Sequence, residues 1–161
     1  MESSPQSRSD IGSHIAMILV TVANLIIITS FHEYIAWYTR EPDGSVTRIP
    51  VLTDGYFIWL SIPVFASILA IVAYTVMIIY DRYWFRTIAQ IVLHIVGIAV
   101  VVSLLSLFPF DFSVIPNATA VDVVPTVVTA FLILMAVVYG VSALGLFVRL
   151  IRRYAVKQET R

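Results

Sequence analysis

Four long apolar segments, separated by short polar stretches, constrain this chain more than any other feature of its sequence. The segments occupy residues 11–31, 55–80, 87–108 and 123–148. A helix needs about 20 apolar residues to cross the hydrocarbon core of a bilayer, and each segment reaches that length. A small soluble domain could not hide all four, because much of its surface remains exposed to water. The pattern therefore predicts an all-α membrane protein built as an antiparallel four-helix transmembrane bundle.

Composition supports a lipid environment and excludes several kinds of chemistry. Hydrophobic residues make up 60% of the chain and charged residues only 12%, whereas a soluble domain typically carries about 25% charged residues. This composition makes the lipid bilayer the expected partner. The formal net charge is zero, so we expect no nucleic-acid partner. The chain has no cysteine, which excludes disulfides, thiolate metal sites and cysteine nucleophiles.

The segments divide the chain into a membrane domain with two short tails. We expect residues 1–10 to form a disordered, Ser-rich cytoplasmic tail, residues 11–154 the four-span domain and residues 155–161 a second cytoplasmic tail. Helix one would begin near Asp10 or Ser13, either of which can cap a helix. Its apolar run is longer than the roughly 7–15 residues of a signal-peptide core, so we expect an uncleaved first span.

The distribution of basic residues predicts an orientation. The side that holds both termini and the connection between spans two and three carries eight basic residues, against Arg40 and Arg48 on the other side. The eight are Arg8, Arg82, Arg86, Arg149, Arg152, Arg153, Lys157 and Arg161. Lys and Arg are retained on the cytoplasmic side of a plasma or bacterial inner membrane. We therefore expect a multi-pass protein with both termini in the cytoplasm.

The first outer loop, about residues 32–54, has the pattern of a short extracellular β-hairpin. Its centre contains Pro42, Asp43 and Gly44, which favour a tight turn. β-branched and aromatic residues flank this turn on both sides, as in two paired strands. Pro50 should end the second strand, because proline lacks the N–H that a strand ladder uses.

We predict that the outer loops form a contact surface, because they are aromatic and carry the only outer basic residues. The residues we assign to this surface are Trp37, Tyr38, Arg40, Arg48, Phe110 and Phe112. In the second outer loop, Pro109 and Pro116 should prevent regular strand pairing. Its apolar side chains suggest that this loop packs back on the helices or touches the membrane surface.

Small residues and one proline shape the predicted helices. Ala66, Ala70 and Ala73 share one face of span two, and Ala136 and Gly140 form a small pair on span four. Faces of this kind let helix backbones approach closely, so packing within the chain is our first interpretation and an oligomer interface the alternative. Inside span two, a proline at position 63 predicts a bend over residues 61–63.

Polar residues within the spans are few, and none is Asp, Glu, Lys or Arg. Counted by helical rise from the cytoplasmic ends, His94, Tyr139 and Tyr74 lie about 9–14 Å deep, with Asn24 above them at about 18 Å. Gln90 lies one turn from His94 on the same face. We interpret these five residues as a polar cluster that fixes helix packing. The alternative is a small cavity that holds a ligand or relays a proton.

The sequence contains no pattern typical of a catalytic, cofactor or metal site, and we predict none. His32 and Glu33 with Asp54, Asp111 and Asp122 could form a metal site only if three separate loop positions converged. Asp54 and Asp122 stand near predicted helix starts, where a carboxylate stabilises the helix dipole. We therefore interpret these two residues as helix-start residues.

Three function hypotheses follow. The first is a non-catalytic accessory, scaffold or interaction subunit that uses its outer loops to bind a protein partner or another copy of the chain. The alternative is a small channel or transporter that works as an oligomer, with a polar patch at His94 and Asn24. A lipid-modifying enzyme ranks third, since it would need the outer acidic residues and His32 within hydrogen-bond reach of each other.

Overall fold

Four long helices dominate the fold. The computed structural model describes the backbone of residues 5–80 and 82–159, and the side chains of residues 11–80, 82–153 and 155. The helices are α1 (Pro5–Ser30), α2 (Gly55–Ile79), α3 (Tyr83–Leu107) and α4 (Ala118–Glu159). Each contains a stretch long and apolar enough to cross a membrane. The prediction of four such helices is confirmed.

The helices pack in chain order. α1 lies against α2, α2 against α3 and α3 against α4, whereas the described residues form no comparably extensive contact between α1 and α4. The short connection at residues 80–82 turns α2 back into α3. We call the end of the helices near this turn the terminal end, and the opposite end the ribbon end. Because α1 and α4 lack an extensive contact, the seam between them is the least packed side of the molecule.

A two-stranded antiparallel ribbon connects α1 to α2, as the sequence predicts. Its strands are β1 (Ala36–Arg40) and β2 (Val46–Pro50), which ends at the proline expected to break it. At the turn, the Asp43 carboxylate accepts hydrogen bonds from the Ser45 hydroxyl (2.7 Å) and the Ser45 backbone N–H (2.9 Å). Gly44 adopts a φ of 87°, a conformation that glycine enters without steric cost.

The loop between α3 and α4 (residues 108–117), which we predicted as the second outer loop, is joined to the chain that follows the ribbon. The Thr53 N–H donates to the Pro109 carbonyl (3.1 Å), and the Asp111 N–H donates to the Val51 carbonyl (2.7 Å). Only an isolated bridge between Leu52 and Phe110 forms here, which agrees with the expectation that proline prevents a regular strand. The loop packs onto the helices, and the side chain of Pro109 is fully buried.

Both terminal helices are longer than the apolar pattern indicates. α1 begins at Pro5, so residues 5–10 are helical where we predicted disorder; residues 1–4 lie outside the described part of the chain. Proline is tolerated in the first helical turn, where its missing N–H would have no helical partner. α4 continues to Glu159, because the predicted tail is rich in residues that favour helix, such as alanine, lysine and glutamine.

Helix α2 runs through its proline without interruption. Pro63 lacks an N–H for the Trp59 carbonyl one turn earlier, and α2 nevertheless spans Gly55–Ile79. The nearby Ser61 hydroxyl donates to the Ile58 carbonyl (3.0 Å), which keeps this hydroxyl within its own helix. The bend at residues 61–63 stays a prediction.

Candidate functional site

A cavity of about 360 Å³ lies between the four helices. Its polar residues come from every helix: Asn24 from α1, Ser67 and Tyr74 from α2, His94 from α3 and Tyr139 from α4. Thr21 of α1 also lines it, and the other wall residues are apolar and include Met17, Pro63, Ala66, Ala70, Val100, Val101 and Met135. Among the residues that the structure describes, no aspartate, glutamate, lysine or arginine lines it. We call it the central cavity.

The central cavity opens toward the seam between α1 and α4. Two of its lining residues on α1, Met17 and Asn24, are exposed. α1 and α4 also lack the extensive contact that closes the other three seams. By helical rise, Asn24 lies about 9 Å from the ribbon end of α1, and Tyr74 about 8 Å from the terminal end of α2. The cavity therefore occupies the middle of the helices and opens sideways.

His94 and Tyr139 form one wall of the central cavity, and Gly97 makes their arrangement feasible. The two rings meet edge to face, with centroids 5.9 Å apart. A Cβ atom placed on Gly97 would lie 3.2–3.3 Å from three carbon atoms of the Tyr139 ring, so the ring occupies space that any side chain would take. The absence of a side chain at Gly97 positions Tyr139.

The hydrogen bond of His94 determines which ring nitrogen carries its proton. Nδ1 lies 2.6 Å from the Gln90 backbone carbonyl. A carbonyl oxygen can only accept, so Nδ1 must carry the hydrogen and donate. In the neutral ring, Nε2 is then a hydrogen-bond acceptor. The cavity wall therefore presents one imidazole acceptor beside several hydroxyl groups.

Most hydroxyl groups on the helices are already paired, but several of those that line the central cavity are not. Thr21, Thr29 and Thr75 donate to carbonyls one turn earlier in their own helices. Among the described residues, the side chains of Asn24, Ser67, Tyr74 and Tyr139 make no hydrogen bond. Ser67 is only 7% exposed as a residue, and it lines the cavity.

The structure brings four of the five predicted cluster residues to one cavity. Asn24, Tyr74, His94 and Tyr139 line it, whereas Gln90 contributes only the backbone carbonyl that accepts from His94. Beside them, His14 is buried and its ring lies 5.9 Å from that of Tyr74. The arrangement corresponds to the cavity alternative for this cluster.

Sequence reasoning missed Ser67 and Gly97. Ser67 lies beside the small-residue face that we interpreted as a helix-packing surface, and Ala66 and Ala70 of that face line the cavity instead. A hydroxyl next to a row of alanines was the available signal. Gly97 has no comparable signal in the sequence, because only the fold brings it next to the Tyr139 ring.

The small pair on α4 also differs from our first interpretation. A Cβ atom on Gly140 would meet nothing within 4 Å, so no other helix packs closely at that position. Close packing within the chain is therefore wrong at Gly140. The reason is that α3 approaches α4 along another face, where Gly97 receives Tyr139.

The predicted outer contact surface is divided in two. Trp37, Tyr38, Arg40 and Arg48 lie on the ribbon and are exposed. The Arg48 guanidinium donates to the Glu33 carbonyl, which ties the ribbon to the end of α1. Phe110 and Phe112 are half-buried, and their rings stack with centroids 5.7 Å apart. These two phenylalanines belong to the packed second loop, and the exposed surface is the ribbon alone.

The outer acidic residues and His32 do not form a metal site. Within the described part of the chain, no three histidine or carboxylate side chains lie together as metal ligands would. His32 Nδ1 donates to the Thr29 carbonyl (2.9 Å), and the Asp111 carboxylate accepts from the Ser113 hydroxyl (2.6 Å) and N–H. These bonds lower the pKa of Asp111, the hydroxyl more than the N–H.

The two aspartates assigned to helix starts make no capping hydrogen bond through their side chains. Asp54 directly precedes α2, and its carboxylate bonds to no N–H of that helix. Asp122 lies in the second turn of α4. Asn117 caps α4 instead, since its side-chain oxygen accepts from the Ala120 N–H (3.3 Å). The position of Asp54 still suits the helix dipole, as predicted.

Fold and site together define a protein with four membrane-length helices around an uncharged polar cavity. No family model matches the chain, and comparison with curated proteins and with solved structures likewise gives no match.

Proposed function

We propose that this protein is a multi-pass protein of the plasma or inner membrane, with both termini in the cytoplasm, that acts as a non-catalytic interaction subunit. Membrane placement is supported by the four long apolar helices. Orientation is supported by charge: Arg82, Arg86, Arg149, Arg152 and Arg153 lie at the terminal end, and only Arg40 and Arg48 at the ribbon end.

The observation that carries the interaction role is the exposed ribbon. Two-stranded ribbons are marginally stable alone in water, and each strand of this one has an unpaired edge. Tyr38 is 51% exposed and lies opposite Arg48. Aromatic residues and arginine are enriched where proteins bind each other, because they combine large apolar area with directional polar groups. Such a surface fits an accessory or scaffold role that positions a partner outside the membrane.

Deletion of residues 40–48 tests this role. Affinity capture of the tagged full-length protein from membranes should recover a protein partner or a second copy, and the deletion should remove it. A finer variant, Tyr38→Ser with Arg48→Ser, should weaken the same interaction. Tyr80→Ser is the matched control, since Tyr80 is 45% exposed but lies at the terminal end. A monomer with no ribbon-dependent partner would overturn the proposal.

The absence of cysteine allows orientation to be tested directly. Ser45→Cys places a thiol at the ribbon turn, and Ala155→Cys places one on α4 beyond the apolar stretch. In intact cells, an impermeant maleimide should label Ser45→Cys, and should label Ala155→Cys only after the membrane is opened. The reverse labelling pattern would contradict the proposed orientation.

A small channel or transporter that works as an oligomer is the second candidate, and the central cavity favours it. His94 and Asn24 line this cavity, as a polar permeation path would require. Proteoliposomes of wild-type protein should then show solute flux that His94→Ala reduces, with Ser142→Ala, whose hydroxyl bonds its own helix, as control. Equal flux in His94→Ala would exclude a role for His94.

A further inference from the structure

We propose that the central cavity binds the head of an uncharged lipid alcohol, meaning a molecule with an apolar tail and at least one hydroxyl group on its head. The inference goes beyond the interaction role, and it rests on the proposed placement in a membrane. It is carried by the unpaired polar side chains of the cavity and by the sideways opening of the cavity between α1 and α4.

The charge of the cavity selects a neutral ligand. In the described part of the chain, no acidic or basic side chain other than His94 lines it. A phosphate or carboxylate head would need cationic partners, since burial of an unpaired ion is far more costly than burial of a neutral polar group. An ammonium head would find no carboxylate to pair with in the cavity, so its burial would be costly for the same reason. Common charged lipid heads therefore do not suit this site.

The hydrogen-bonding groups of the cavity select a hydroxyl. His94 Nε2 can only accept, because Nδ1 already donates to the Gln90 carbonyl. The hydroxyls of Ser67, Tyr74 and Tyr139 can donate as well as accept. A ligand hydroxyl donates to the imidazole and accepts from a phenol or serine at the same time. An ether or ketone would leave His94 Nε2 unpaired.

The dimensions and the opening suit a lipid-soluble molecule. A volume of about 360 Å³ lies at the lower end of the roughly 300–1,000 Å³ range of ligand pockets, which is enough for a small head. The tail would leave through the seam beside Met17 and Asn24, where the cavity opens. Met17, Met135 and the valines of α3 give the inner wall an apolar surface for the first part of the tail.

A matched pair of photoreactive probes tests the proposal on the wild-type full-length protein. The first probe is a 4-alkylphenol with a diazirine in its tail, and the second is its methyl ether with the same tail. Both are added to the protein in phosphatidylcholine nanodiscs, irradiated, and their adducts are mapped by mass spectrometry. We expect the phenol to label residues of α1 and α4 at the seam several-fold more than the ether.

Competition with unlabelled compounds distinguishes the two kinds of lipid that could supply the hydroxyl, a lipid hydroquinone and a diacylglycerol. Unlabelled 4-alkylphenol should displace the phenol probe if the site prefers an aromatic hydroxyl, as in a lipid hydroquinone. Displacement by diacylglycerol at lower concentration would assign the site to a glycerol hydroxyl. Both outcomes support a lipid alcohol, and failure of both compounds to compete would overturn the proposal.

Variants locate the binding. Ser67→Ala and Tyr139→Phe should each weaken probe binding about three- to ten-fold, the loss expected for one hydrogen bond. Matched controls are Ser106→Ala, whose hydroxyl donates to the Val102 carbonyl of its own helix, and Tyr38→Phe on the ribbon. The variant that lacks residues 40–48 should bind normally, which separates this site from the interaction role.

Two further results would overturn the proposal. Equal labelling by the phenol and its ether would show that no hydroxyl is recognised, as expected if water alone fills the cavity. In the Asn24→Cys variant, a disulfide between two copies that persists when either probe is added would show that a second copy covers the seam. Because the probe pair compares two ligands on one wild-type protein, misfolding of a variant cannot produce the first result.

Discussion

Two cavities of similar size differ in how their polar atoms are paired. The ribbon-end cavity, about 320 Å³, lies beneath the outer loops and contains Tyr56 and Trp59. The Tyr56 hydroxyl donates to the Ile28 carbonyl (2.6 Å), and Trp59 Nε1 donates to the Ser103 hydroxyl (3.1 Å). In the central cavity, of about 360 Å³, the hydroxyls of Ser67, Tyr74 and Tyr139 make no such bond within the described residues.

The difference separates two uses of polar residues in apolar helices. Each bond at the ribbon end joins two helices, α1 to α2 through Tyr56 and α2 to α3 through Trp59. These polar groups fix helix packing. In the central cavity, the polar groups of Asn24, Ser67, Tyr74 and Tyr139 have no partner among the described residues and are available to a ligand. The hydrogen bonds at the ribbon end therefore contribute to stability, whereas the unpaired groups of the central cavity would serve the ligand binding that we propose.

The largest effect should come from removal of the Trp59 side chain. Trp59→Ala should lower the free energy of unfolding by about 3–5 kcal/mol, as for other buried aromatic residues, because Trp59 is only 7% exposed and links α2 to α3. Denaturant titration in detergent micelles measures the change. Trp37→Ala on the exposed ribbon is the control and should change stability far less. Equal losses would show that Trp59 is no more firmly packed than the exposed ribbon.

A smaller loss should follow from a methyl group at Gly97. Gly97→Ala places a Cβ 3.2 Å from the Tyr139 ring, and such overpacking typically costs about 1–3 kcal/mol. Gly140→Ala is the matched control: its Cβ would meet nothing within 4 Å, and alanine favours helix over glycine by up to about 1 kcal/mol. The two substitutions should change the unfolding midpoint in opposite directions. A stabilised Gly97→Ala would mean that Tyr139 does not rest on Gly97.

The third prediction compares one hydroxyl from each cavity. Tyr56→Phe removes the bond to the Ile28 carbonyl and should cost about 0.5–1.5 kcal/mol of folding stability. Tyr139→Phe removes a hydroxyl without a partner among the described residues, so its stability should stay the same or rise slightly. Both are measured by the same titration without added ligand. A large loss for Tyr139→Phe would mean that its hydroxyl fixes helix packing, which would remove the contrast between the cavities.

The elements of the fold were largely predictable from the sequence. Apolar length locates the four helices, and the residues from Pro42 to Gly44 locate the ribbon turn. The helix ends were less predictable, because α1 starts at Pro5 and α4 ends at Glu159 in polar sequence that membrane length does not constrain. The packing order was not predictable either, since the open seam between α1 and α4 depends on contacts among all the helices.

The candidate site was predictable only where a polar residue stands out against apolar sequence. Depth along the helices identified Asn24, Tyr74, His94 and Tyr139, which line the central cavity. Rotation about the helix axis is harder to infer, and for that reason Gln90 was assigned to the cluster although its side chain does not line the cavity. Serine is common in membrane helices and usually bonds its own backbone, so the sequence alone does not reveal the unpaired hydroxyl of Ser67.

The smallest predicted effect concerns two exposed turns, one in the ribbon and one in the loop between α3 and α4. As in the ribbon-end cavity, the polar atoms of these turns are paired within the protein. Asp43 accepts from the Ser45 hydroxyl and N–H, and Asp111 accepts in the same way from Ser113. These bonds lower the pKa of both carboxyls from the ordinary value of 3.8. A lowered pKa in the folded state means that each turn is fully stabilised above pH 3.8 and loses this contribution as the pH falls through the lowered pKa. Amide hydrogen exchange at Ser45 and Ser113 should therefore show extra opening, beyond the intrinsic pH dependence, only below that value.

Ser45→Ala should raise the pKa of Asp43 and shift its transition to higher pH, while that of Asp111 stays unchanged. A simultaneous shift of both carboxyls would mean that the two turns are coupled and do not act as separate local structures.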